Sequence, residues 1–220
     1  MKSITRYTAS IFTEKILDDY RLRNFPFFAS IMILYSIKFK RGIYGRRVLE
    51  VKDGKALIIT EKLIDCIKYN HKYEAVTWKT CTLRNWMNND FYDAAFSRDE
   101  KARIATLTVK TPDNPRYGID GGKSTKDKVF ALSIDEADRY IKNDNDRMST
   151  MTQYSKKRGI YSRSNHTLPN GDESGCWWLR SPGLNSCNAA YVNLGGDIHY
   201  KWDRVGFYNI GVRPVVWIIF

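Results

Sequence analysis

A chain of 220 residues, with 36 Lys and Arg against 24 Asp and Glu, has room for one domain with an appendage and for a substantial core. Its formal charge of +12 first suggests nucleic acid or an anionic membrane, but residues 1–47 carry ten Lys/Arg against three Asp/Glu and residues 48–220 carry 26 against 21. The excess belongs mainly to the N-terminal segment, so no basic nucleic-acid groove is expected in the main body; four cysteines without a CxxC pair and three isolated histidines likewise speak against a zinc cluster.

Residues 1–24 are basic and polar. The apolar run from Phe25 to Phe39 follows, flanked by Arg21, Arg23, Lys38, Lys40 and Arg41. It is shorter than the ~20 residues a spanning helix needs, starts late, and lacks the small-residue cleavage site of a signal peptide. Three readings stay open: a membrane-associating segment, a buried strand or helix, and a non-native start to the reading frame. Residues 1–45 are therefore set apart as peripheral or membrane-associating, and residues 46–220 as the domain. The cysteines, Cys66 and Cys81 among apolar residues and expected buried and free, assign no redox compartment and hence no location.

From Arg46 the pattern clears. Arg47 to Val51, an Asp53-Gly54 turn and Ala56 to Thr60 read as a hairpin. Thr80 or Thr82 can cap a helix whose Leu83, Trp86, Met87 and Phe91 share one buried face, with Asn85, Asn88 and Asn89 on the polar side. Ser97 with Glu100 and Ser133 with Glu136 form capping boxes for two more short helices, and the run Thr150 to Gln153 can open a fourth. Strands are expected over 104–109 and 129–132, and loops over 111–127 and 163–175, where Pro, Gly, Asn and Asp cluster. Short strands with a few helices and no βαβ rhythm indicate an α+β fold.

The last quarter organises the rest. Two apolar runs, 176–179 and 212–218, bracket a polar and aromatic middle. Ala190, Val192 and Leu194 alternate with Tyr191 and Asn193 as in a half-buried strand. Gly195-Gly196-Asp197 then reads as a two-residue hairpin turn returning through Ile198-His199-Tyr200.

The runs WLRSPG, AAYVN and GVRPVVWI resemble an uncharacterised family of bacterial domains related to the C-type-lectin-like superfamily, and the likeness extends upstream through residues 77–100 and 128–140. That superfamily includes the formylglycine-generating (sulfatase-modifying) enzymes and the variable proteins of diversity-generating retroelements. The resemblance implies a C-type-lectin-like α+β fold with long loops beside a binding face. In the variable proteins the stretch corresponding to 185–209 is the diversified binding surface.

Other chemistry is weaker. Gly121-Gly122-Lys123-Ser124-Thr125 looks like the tail of a phosphate-binding loop, but Tyr117 stands where its first glycine belongs and a strand follows where a helix should start. Asn143-Asp144-Asn145-Asp146 lacks the glycine and the later bidentate acid of a calcium loop and reads as a solvated helix end. The sulfatase-modifying route needs two late cysteines close together; Cys176 and Cys187 stand eleven positions apart, with Cys176 in an expected core strand.

The expected function is therefore non-catalytic, with no cofactor and no metal: recognition of a protein or carbohydrate, not of specific nucleic acid. Its contacts would come from Asn185, Asn188, Tyr191, Asn193, His199, Tyr200, Trp202, Asp203, Tyr208 and Asn209, because Tyr and Trp give rigid contact area while Asn and Asp adapt their hydrogen bonds. Trp178, Arg180, Arg213 and Trp217 would support them, the arginines by pairing with a carboxylate or with carbonyls at the loop base. Alternatives are a cysteine-dependent enzyme of the sulfatase-modifying type and a surface protein tethered to the membrane through Phe25 to Phe39.

Overall fold

Asp53 and Gly54 both take positive φ, 48° and 67°, which is what a tight two-residue hairpin turn demands of its central residues. They join strand β1 (Arg46–Lys52) to β2 (Lys55–Thr60), with Lys52 opposite Lys55. The computed structural model describes residues 45–201 and 204–220; all of these but Phe220 belong to one compact unit. The expected membrane-associating run from Phe25 to Phe39 lies outside the described residues, among which no helix is long and apolar enough to cross a membrane.

β2 is buried from Ala56 to Thr60 because it is covered along both edges. On one side lies β1 and on the other β13 (Val215–Ile219), which in turn pairs with β6 (Val129–Phe130), every pair antiparallel. The first hairpin of the unit is thus closed by its last strand. A second sheet runs β11 (Ile198–His199), β10 (Ala189–Val192), β9 (Trp177–Pro182), β12 (Gly211–Val212) and β3 (Asp65–Cys66). It is antiparallel except where β9 meets β12.

All six residues of β9 are buried. Consecutive strand residues point to opposite faces, so the two tryptophans serve two layers. The Trp177 indole N–H donates to the Arg147 carbonyl at 3.1 Å, and that of Trp178 to the Ile67 carbonyl at 2.9 Å. Each ring removes roughly 150–250 Å² from water, about 4–6 kcal/mol as an upper estimate, without leaving an indole N–H unpaired.

Helix α1 (Thr82–Trp86) runs through a π-helical turn (Met87–Phe91) into α2 (Tyr92–Ala95). Its N-cap is Cys81, whose sulfur accepts from the Arg84 N–H, and not either threonine. Leu83 and Met87 are buried as expected, but the wider π turn leaves Trp86 and Phe91 half-buried, their ring centroids 5.3 Å apart. Asn88, expected to face solvent, bonds the Val129 N–H and C=O at the start of β6. Both capping boxes form, at α3 (Arg98–Arg103) and α4 (Ile134–Tyr140). α5 (Asp144–Arg147) and α6 (Gln153–Lys157), capped by Thr152, complete the helices of the described residues.

Strand lengths depart from expectation where side chains take the ladder's place. The 104–109 strand is only β4 (Leu107–Val109), with Ile104 making a single bridge to Ile218. β6 stops at Phe130 because Arg180 claims the next two carbonyls: its guanidinium takes that of Ala131 and its N–H that of Leu132. β5 (Thr125–Asp127) pairs β4 at the end of the 111–127 loop. The expected 163–175 loop is instead a hairpin, β7 (Ser162–Thr167) with β8 (Glu173–Gly175). Its sequence, SRSNHT, is polar on both faces, so no alternation betrays the strand. The fold is α+β, with mostly short antiparallel strands and few helices.

Candidate functional site

A cleft of about 460 Å³ opens where β7, β10 and residues 207–210 converge. Its floor is apolar: Cys176, Leu194 and Ile210 are each nearly buried. Tyr191, Asn193 and Gly195 form one wall. Tyr161, Arg163, His166, Phe207 and Asn209 form the other.

The first wall holds itself in place. Ala190 and Val192 turn into the core, leaving Tyr191 half-buried against Trp178 with an edge-on ring contact of 6.4 Å. Beyond β10 the chain turns through five residues, 193–197, and not the expected two-residue turn, because Asn193 organises it. Asn193 Oδ1 accepts from the N–H groups of Gly195 (2.8 Å) and Asp197 (3.0 Å), and its Nδ2 donates to Asp197 Oδ2 and to His199 Nε2, both at 3.0 Å. With Nε2 accepting, neutral His199 carries its proton on Nδ1 and donates it to the Tyr191 oxygen, 3.1 Å away. At Gly196 φ is +87°, and an added Cβ would lie 1.8 Å from the Asp144 carbonyl. Buried Arg147 fastens the same turn: its Nε donates to the Gly196 carbonyl at 2.8 Å, and it also binds the Ile141 carbonyl and the Asp144 carboxylate.

The second wall is differently made. No hydrogen bond engages the Tyr161 hydroxyl, the Arg163 guanidinium, His166 Nε2 or the Asn209 amide among the described residues. Arg163 lies over the Tyr161 ring at 5.3 Å, and His166 Nδ1 donates to Asn165 Oδ1 at 2.8 Å. Phe207 and Tyr208 stack at 6.1 Å, Tyr208 being 70% exposed. The backbone beneath is firm: Tyr161 N–H donates to the Asn209 carbonyl, and Ser174 Oγ bonds the carbonyls of His166 and Leu194, tying β7 to the first wall. No carboxylate lines the cleft among the described residues. Glu173, on the partner strand of β7, is held below the usual carboxylate range by the Ser162 hydroxyl and Lys156.

Of the residues expected to touch ligand, Tyr191, Asn193 and Asn209 line the cleft, and Tyr208 stands beside Phe207 at its rim. His199 sits behind the first wall, bonded to Tyr191 and Asn193. Tyr200 lies beneath the Arg116 guanidinium at 3.8 Å, and its carbonyl takes the buried Asn114 amide. Asn185 Oδ1 accepts the Cys187 N–H within its own turn, and Asn188 bridges to Arg204. Neither lines the cleft. Trp202 and Asp203 lie outside the described residues.

Of the four expected supports, Trp178 packs against Tyr191 of the first wall, and none of the four lines the cleft. Trp178 is fully buried, and Trp217, half-buried on β13, lends its carbonyl to Ala105. Arg180 forks onto the Glu136 carboxylate and donates to the Ala131 and Lys110 carbonyls, both at 2.8 Å. Arg213 binds the Thr60 carbonyl at 3.0 Å over the Trp177 ring. Burial, with Arg47 adding to it, pushes Arg213 down to about 9, only partly offset by Glu61. Burial chiefly raises the thiols of Cys66 and Cys81 to about 11 and about 12, so both hold their protons at neutral pH. No group of three or more potential metal ligands occurs among the described residues.

Tyr161, Arg163, His166 and Phe207 escaped the sequence reading. Three fall in or beside the segment taken for a loop, where the one signal was an aromatic and a histidine in a polar run. Phe207 stood within the display stretch, next to Tyr208.

The family described as a domain of unknown function, DUF6273, matches residues 53–219, and the chain belongs to it. No curated protein matches the chain. No solved structure matches it.

Proposed function

We propose that this member of the DUF6273 family is a non-catalytic recognition domain that binds a protein or carbohydrate in the cleft between β7 and β10. The finer likeness of its α+β scaffold to C-type-lectin-like domains, drawn from the WLRSPG, AAYVN and GVRP runs, is part of the same proposal. One observation carries it: a preformed cleft of about 460 Å³ with an apolar floor, one rigid wall and one wall of available polar and aromatic groups. Small-ligand sites have this make-up and fall between roughly 300 and 1,000 Å³. Rigid aromatics beside adaptable amides favour recognition, because little side-chain freedom is lost on contact.

The test is a glycan array and a capture screen for cell-surface proteins, both with the full chain. Changing Tyr161 and Phe207 together to Ala should cut affinity for whatever is found at least about tenfold, roughly 1.4 kcal/mol, with an unchanged melting temperature. Unaltered affinity in that variant would sink the assignment.

A further inference from the structure

We infer that the cleft takes a saccharide residue bearing a carboxylate, with the Arg163 guanidinium receiving the acid group. This inference rests on the recognition reading and narrows its ligand.

Charge sets the sign of the ligand. Arg163 and His166 both come from β7 onto one wall, and among the described residues the lining contains no Asp or Glu and Arg163 has no ion pair. The adjacent acids are already engaged: Asp197 with Asn193 Nδ2, and Glu173 with Ser162 and Lys156. An anion entering the cleft therefore meets a cation without displacing an existing partner.

Geometry selects among anions. A guanidinium presents a planar fork that matches the two oxygens of a carboxylate, and Arg163 carries that fork over the Tyr161 ring, 5.3 Å from its centroid. Phosphate sites draw on helix N-termini and nests of backbone N–H groups, and the lining comes from strands and loops, not from any described helix.

The remaining groups suit a pyranose. Tyr161 and Phe207 offer flat apolar faces for its C–H side. Asn209 can donate and accept at once, His166 Nε2 adds a further polar contact, and neighbouring hydroxyls need such groups. His166 also reaches toward the opposite wall: its ring carbon lies 3.9 Å from where a Cβ on Gly195 would stand.

The test uses the full chain, labelled with nitrogen-15, titrated with methyl β-glucuronide, its methyl ester, methyl β-glucoside, acetate and a short glutamate peptide. The glucuronide should bind at least about tenfold more tightly than the ester or the glucoside, shifting the Asn209 amide and the His166 ring nitrogens. The preference should weaken as salt rises, since an exposed ion pair is screened. Arg163→Gln should erase the preference, and Arg163→Lys, which keeps the charge and loses the fork, should restore only part of it. Equal affinity for glucuronide and ester, or acetate or the glutamate peptide binding as well as the glucuronide, overturns the inference. If neutral glucoside binds equally and the Tyr161, Phe207 double variant abolishes it, the acid class falls while the recognition reading stands. If no sugar binds and that double variant leaves every captured ligand unaffected, both fall.

Discussion

The two walls of the cleft use the same kinds of residue to opposite ends. On the β10 side, Tyr191, Asn193, Asp197 and His199 bond one another, and Arg147 pins the turn from below. On the β7 side, Tyr161, Arg163 and Asn209 keep their polar ends available, and only the backbone beneath them is tied down. Polar composition alone therefore does not mark a binding surface. An Asn that closes four bonds within its own hairpin is spent on scaffold, and one whose amide is left over stays available for contact.

The largest way to break this comparison is Gly196→Ala. The new Cβ would collide with the Asp144 carbonyl at a φ of +87°, so a loss of at least about 2 kcal/mol should appear in urea unfolding. An unchanged midpoint would show that the turn is not anchored.

Asn193→Ala should cost about 1–2 kcal/mol, since it strips the part-buried Gly195 N–H of its acceptor and leaves that of Asp197 to water. It should also release His199 from its tautomer, which nitrogen-15 shifts of the ring report; in the parent, Nε2 should be the unprotonated nitrogen. His199→Phe, losing the bonds to Tyr191 and Asn193, should cost about 1 kcal/mol.

On the other wall, Arg163→Gln and Asn209→Ala should change stability by no more than about 0.5 kcal/mol while altering ligand affinity. Finest of all is natural variation. If the cleft serves changing ligands, substitutions among relatives should gather at 161, 163, 166 and 207–209 and spare 193, 196 and 199. The reverse distribution would exchange the roles of the two walls.

How much of this was legible in the sequence follows from which residues obey local rules. The Asp53-Gly54 hairpin, both capping boxes and the buried β9 tryptophans depend on chemistry within a few positions, and they could be read directly. β7 could not, because a strand polar on both faces is held by its partner and by Ser174, not by its own pattern. The site was half legible. The stretch 185–209 contains Tyr191, Asn193 and Asn209 of the cleft, but whether an Asn is engaged or available depends on what lies opposite. His199 and Tyr200 were claimed by Tyr191, Asn193 and Arg116. Arg116 and Arg147 stand dozens of residues away in the chain, and no local spacing announces such partners.

The closure of β2 by β13 has a consequence for synthesis. Ala56 to Thr60 leave the ribosome as an apolar ribbon, yet the strand that covers their second edge is made some 155 residues later. Until Val215 to Ile219 arrive, that edge is an open template for pairing with other chains, and long-range pairings of this kind form slowly. A message cut short before the codon for Val215 would therefore yield a sticky fragment rather than a smaller domain, and protein quality control would meet it as such.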